Sequence, residues 1–193
     1  CESFGDQIAI ISEFAPDGSL QNLLDKHGSF SVADAIEITI GILDGLAHLH
    51  NRKIIHRDLK PDNVLFQGRI PRLTDFGISR AMTIGSQSQT VSGTLSYMAP
   101  EAFDGKRNVQ TDIWSVGVIL FQLLTGSLPF PQKEMIELIG AIASKEPAPL
   151  PDFVSPVLQA MVKKSLQSLS SARWTHQRLL EIWFSLEILP SLA

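Results

Sequence analysis

His56-Arg57-Asp58-Leu59-Lys60-Pro61-Asp62-Asn63 is the stretch on which the fold and chemistry of this chain turn. It places a carboxylate at Asp58, an ammonium two residues later at Lys60 and an amide five residues later at Asn63, all inside one tight loop. Transfer of a phosphoryl group needs a carboxylate to orient and finally deprotonate the attacking hydroxyl, a cation for the spread charge, and ligands for Mg2+. Seventeen residues after Asp58 comes Asp75-Phe76-Gly77, directly after the strand-like Arg72–Thr74, so a second carboxylate arrives at the end of a β element. Mg2+ takes oxygen ligands and keeps few of them from protein. One aspartate and one asparagine amide oxygen, with phosphate oxygens and water, are a sufficient set.

Outward from this loop the pattern is helical. Ile8 to Ile11 form a short β-branched run, read as a strand ending at Ser12-Glu13 and followed by the turn-rich Ala15-Pro16-Asp17-Gly18. Ser19 is placed to cap a helix running to about His27, with Gly28 as its stop. Ser31 and Asp34 make a Ser-x-x-acid box that opens a second helix. In that helix Ile36, Ile40, Leu43, Leu46 and Ala47 recur at three- and four-residue intervals, so one stripe faces a core, and the helix is expected to reach about Asn51. Beyond the loop come short strand-like pieces at Val64–Phe66 and Arg72–Thr74, then a polar tract from Thr83 to Ser92. Helical patterning resumes at about Thr111–Leu124, Pro131–Ala143, Ser155–Leu166 and Thr175–Ile188, separated by proline-rich breaks.

The chain has 193 residues, 44% of them hydrophobic and 19% charged, enough for one sizeable core and too few for two full domains. A net charge of −4 leaves no general cationic field to attract nucleic acid. The most apolar run, Ile113 to Leu124, falls well short of the roughly 20 residues that cross a bilayer, so no membrane segment is expected. The single cysteine, Cys1, rules out an intrachain disulfide and fits an intracellular, cytoplasmic setting.

These motifs, in this order, resemble the eukaryotic-type serine/threonine protein kinase family over nearly the whole chain. Ser12-Glu13-Phe14-Ala15 is similar to the hinge, His56 to Asn63 to the catalytic loop, and Asp75-Phe76-Gly77 to the metal loop. Gly93 to Glu101 resembles the end of the activation segment, and Asp112-Ile113-Trp114-Ser115-x-Gly117 the central helix. The resemblance implies a mainly α, α+β fold: a kinase-like C-terminal lobe with short β-hairpins in the catalytic region and one remnant strand of the N-terminal lobe and hinge. It implies ATP and Mg2+ as cofactors and serine or threonine hydroxyls of proteins as acceptors. By the same resemblance Asp58 matches the catalytic base, Lys60 the γ-phosphate contact, and Asn63 and Asp75 the Mg2+ ligands. The backbone of Glu13 and Ala15 matches the adenine-binding edge, and Leu65 the residue beneath the ring. Ser12 falls where a small side chain opens the pocket behind adenine. Arg57 is similar to the arginine that receives an activation-segment phosphate, with Thr90 as the candidate phosphosite. Thr94 matches the threonine that bonds the base and lysine. His56, Phe76, Gly77 and Asp112 are expected in structural roles, as is an ion pair between Glu101 and Arg173. Trp174 follows Arg173 where the family usually has proline.

No Gly-x-Gly-x-x-Gly occurs in the chain. The seven residues before Ile8 are too few for a phosphate loop, a strand with an ATP-anchoring lysine and a helix with its glutamate partner. Residues 1–18 are therefore expected to be the last strand of the N-terminal lobe and the hinge, its strand exposing an edge, and 19–193 the helical C-terminal lobe, with the chain's start a truncation or an internal boundary. The missing lobe of the same parent chain is then the expected partner, and these residues alone are expected to be inactive. A non-catalytic module that binds partners through its helical face is the alternative reading.

Overall fold

The computed structural model describes residues 2–4, 7–9, 13–76 and 94–185. Helix α1, Leu20–His27, starts where Ser19 accepts a hydrogen bond from the Asn22 amide at 3.2 Å while the Asn22 side chain accepts from the Ser19 amide at 2.9 Å. Gly28, at φ 76°, ends it. Helix α2, Val32–Asn51, is capped by Ser31, which accepts from the Asp34 amide at 3.1 Å. Its apolar stripe, Ile36, Ile42, Leu43 and Leu46, is fully buried.

A short 3-10 turn at Pro61–Asn63 leads into β3, Val64–Gln67, which pairs antiparallel with β4, Ile70–Leu73, Val64 lying opposite Leu73. Helix α3, Val109–Thr125, is capped by Asn108 and closed by Gly126 at φ 73°. It is buried on every side, as expected of a helix apolar all round, and packs on α2 and on α5, Pro156–Ser165. Helices α4, Met135–Ser144, and α6, His176–Ser185, complete the body. The described residues are thus mostly helical with two small two-stranded sheets.

Two expectations need correction. Helix α4 begins at Met135, not Pro131. The Pro129 carbonyl accepts from the Ala148 amide at 2.9 Å, and Phe130 stacks on Trp114 with ring centroids 5.9 Å apart, so this segment is held as connector. The N-terminal strand, expected alone from Ile8, is β2, Gln7–Ala9, and it pairs with β1, Glu2–Phe4, Glu2 opposite Ala9. The Gly5-Asp6 dipeptide between them is a hairpin signal in the sequence that the strand reading passed over. Residues 10–12 of the expected strand and 186–188 of the expected last helix lie outside the described residues.

Candidate active site

The loop after α2 hangs from one buried carboxylate. Asp112, in the first turn of α3 and 1% exposed, accepts from the His56 amide on Oδ2 at 2.9 Å and from the Arg57 amide on Oδ1 at 3.0 Å. His50, near the end of α2, donates from Nε2 to Oδ2 at 2.8 Å. The loop needs such anchoring because Arg57 has φ 73°, the left-handed region that costs a non-glycine residue about 1–3 kcal/mol. Asp75, at φ 58°, is a second residue of this kind.

Held this way, the loop brings three predicted residues together. The Asn63 amide nitrogen donates to the Asp58 carbonyl at 2.7 Å and to Asp58 Oδ2 at 3.1 Å. Lys60 Nζ lies 3.4 Å from the same Oδ2 and donates to Thr94 Oγ1 at 3.0 Å. Asp58 and Lys60 are nearly buried, their side chains 17% and 18% exposed, so their mutual charge is poorly screened. Both donors of Asn63 point at Asp58, which leaves its Oδ1 as a ligand oxygen. Asp75 joins through the backbone: the Thr74 amide donates to the Asn63 carbonyl at 3.0 Å, continuing the β3–β4 ladder, so Asp75 emerges beside Asn63 with its side chain exposed. An oxygen-only pair of this kind suits Mg2+. Among the described residues no group of three or more His, Cys, Asp or Glu is placed to hold a metal ion.

The 13–19 segment is laced to β3, which sets it beside Leu65. The Phe66 amide donates to the Gly18 carbonyl at 2.9 Å, Gln67 donates to Glu13 at 3.0 Å, and Ser19 bridges Leu65. Glu13 is exposed, Ala15 and Leu65 are half-buried, and Phe14 between them is 81% exposed. His56 is fully buried with its ring edge-on to Phe76 at 6.5 Å. Neither ring nitrogen reaches hydrogen-bond geometry, although the backbone of Thr74 lies close, and burial pushes its proton affinity down against the pull of Asp112 and Asp58.

Further from the loop, Arg173 pairs bidentately with Glu101, Nη1 to Oε1 at 2.6 Å and Nη2 to Oε2 at 2.9 Å, its guanidinium 4.9 Å from the Trp114 ring centre. Trp174 packs against the core beside it. Gly77, Thr90, Ser12 and the tract from Thr83 to Ser92 lie outside the described residues. Sequence reasoning missed His50. Its signal was a polar residue at a helical interval from Leu43 and Leu46, on the face of α2 that turns inward.

Residues 2–184 match the protein kinase domain family. The chain is 33% identical to CBL-interacting serine/threonine-protein kinase 1 of Arabidopsis thaliana, over 96% of this chain and 43% of that protein. It is 33% identical to the mitogen-activated protein kinase kinase kinase ANP1 of the same plant, over 91% of this chain and 28% of the relative. With serine/threonine-protein kinase SIK1 of Rattus norvegicus it shares 34% identity over 83% of this chain and 21% of the relative. The chain belongs to the protein kinase family, of the eukaryotic serine/threonine type. It spans less than half the length of these relatives. Protein kinase domains in general use ATP and Mg2+ and act on proteins. No helix among the described residues is long and apolar enough to cross a membrane.

Proposed function

We propose that this chain is the C-terminal lobe of a serine/threonine protein kinase and that the full protein transfers the ATP γ-phosphate to serine or threonine hydroxyls of its protein substrates. The observation that carries this reading is the double donation of Asn63 to Asp58, with Asp75 tied to Asn63 through Thr74. Asp58, fixed by Asn63, orients the acceptor hydroxyl and takes its proton. Lys60, held between Asp58 and Thr94, meets the charge of the γ-phosphate. Asn63 Oδ1 and the Asp75 carboxylate hold Mg2+, which when bound supplies positive charge against the phosphate oxygens. The backbone of Glu13 and Ala15 receives adenine above Leu65. Arg57, exposed beside the base, receives a phosphate on Thr90 that orders the activation segment.

A glycine-rich phosphate loop and an ATP-anchoring lysine are not among these 193 residues, so the chain tested by itself is inactive in this reading. In the full-length protein Asp58→Asn and Asp75→Ala are each expected to lower phosphate transfer to a serine/threonine peptide by at least about a hundredfold, with the thermal midpoint unchanged. Transfer at the parent rate by either variant, measured with labelled ATP, sinks the assignment.

A further inference from the structure

The last helix reaches the catalytic loop through a buried chain of polar groups. Asp112 holds the amides of His56 and Arg57 and accepts from His50 Nε2. The other ring nitrogen of His50, Nδ1, lies 3.3 Å from Nδ1 of His176, the first residue of α6, with ring centroids 5.2 Å apart. A carboxylate only accepts, so His50 Nε2 carries a proton. Between the two Nδ1 atoms there is then room for one proton, one ring donating and the other accepting. Two imidazolium rings would set N–H against N–H.

We propose that His176 is a positioning residue for the catalytic loop: its Nδ1 orients the His50 ring and, through it, the Asp112 carboxylate from which His56 and Arg57 hang. The proposal rests on reading His56 to Asn63 as the catalytic loop. A partner on the second ring nitrogen fixes both the tautomer and the orientation of a histidine. The His50 side chain is 3% exposed, so water does not readily replace a lost partner there. The strained φ of Arg57 means that a loosened Asp112 lets the loop relax away from its working shape. Half-buried His176 is the member of the chain that solvent protons reach first. Burial, and secondly His50, lower its proton affinity, and a proton added on its Nε2 leaves the Nδ1 N–H in place, so the bond to His50 does not depend on that titration. The other titratable groups of the packed elements are engaged or face away. His56 is buried against Phe76, and Asp44 and His48 are exposed on α2. Arg52 donates to the His48 carbonyl, Arg178 to Glu181 and Arg173 to Glu101.

Two-bond 15N–1H spectra of the imidazole rings, with amide hydrogen exchange at His56 and Arg57, test this on the intact chain. The His50 ring is expected to carry its proton on Nε2 and the His176 ring to carry one on Nδ1. His176→Phe keeps the ring and removes the nitrogen. It should speed exchange of both amides about tenfold while Ile119 and Leu123 in α3 stay protected. His176→Asn sets an amide N–H near the place of Nδ1, so it should restore protection. Unchanged loop exchange in His176→Phe, or a His50 ring without a proton on Nε2, overturns the proposal. Should the Phe variant unfold globally, the His176 ring of the unaltered protein decides: the absence of a proton on its Nδ1 overturns the proposal. Neither readout involves phosphate transfer, so failure of the kinase reading shows separately, as transfer by Asp58→Asn with the histidine chain intact.

Discussion

Arg173 shows what one buried charge demands of its surroundings. Its five N–H groups find five acceptors: two oxygens of Glu101 and the carbonyls of Gln167, Gln110 and Ser168. With the side chain 0% exposed, removing the carboxylate leaves a desolvated cation with two idle donors. Glu101→Ala is therefore expected to cost about 3–5 kcal/mol of unfolding free energy, and Glu101→Gln, which keeps one acceptor, clearly less. A urea titration that shows Ala costing under about 1 kcal/mol, or no more than Gln, contradicts the buried pair. At this scale legibility follows separation along the chain. Asp58, Lys60 and Asn63 sit within one short string and could be read from spacing, whereas Glu101 and Arg173 are separated by 72 residues and were paired only through the family resemblance. His50 and His176 lie 126 residues apart and match no motif, so only coordinates join them.

Between elements, close approach is set by glycines rather than by the apolar stripes that announced the helices. Gly41 and Gly45 sit one turn apart on α2, facing Pro71 and Leu73, which point to the same face of β4. A Cβ at position 45 would come within 2.9 Å of Leu73 Cδ1, and one at 41 would overlap the Pro71 ring. This contact presses the β3–β4 hairpin onto α2 and delivers Asp75 to Asn63. Gly41→Ala gains about 1 kcal/mol of helix propensity but forces a rigid proline ring aside, so a net loss of about 1–3 kcal/mol is expected. Amide shifts should concentrate at Thr74 and Asp75. Gly140→Ala, exposed in α4 with nothing within 4 Å of the added carbon, is the control and should stabilise by about 0.5–1 kcal/mol. Equal effects at the two sites would mean that α2 does not approach β4 so closely. The capped helices α1 and α2 were legible because Ser19, Gly28 and Ser31 act locally. The start of α4 was not, because Ala148 and Trp114, distant in sequence, hold Pro129 and Phe130 out of it.

Over the whole molecule, buried histidines tie the stability of the core to pH. One continuous core runs from Leu20 in α1 to Trp183 in α6, and His56 lies fully inside it between α2 and α3. Burial is the larger influence on its ring, outweighing the attraction of Asp112 and Asp58, so the folded chain binds a proton there less readily than the unfolded chain does. Above the ordinary imidazole value of about 6.5 neither state is protonated and His56 leaves stability unchanged. Below it the unfolded chain takes up a proton that the folded chain refuses, so stability falls as pH falls, by at most about 1.4 kcal/mol per pH unit from this group. His176 acts in the same direction, its proton affinity also lowered by burial and by His50. Urea midpoints at about pH 7.5, 6.5 and 5.5 should therefore be nearly level between the first two and drop at the third. His56→Phe discards two ring nitrogens that have no hydrogen-bond partner and keeps the edge contact to Phe76, so it should hold stability at neutral pH within about 1 kcal/mol and reduce the acid drop. A drop as steep in His56→Phe as in the parent chain would place the acid sensitivity elsewhere, while a loss of several kcal/mol at neutral pH would mean that the imidazole makes a bond its burial does not reveal.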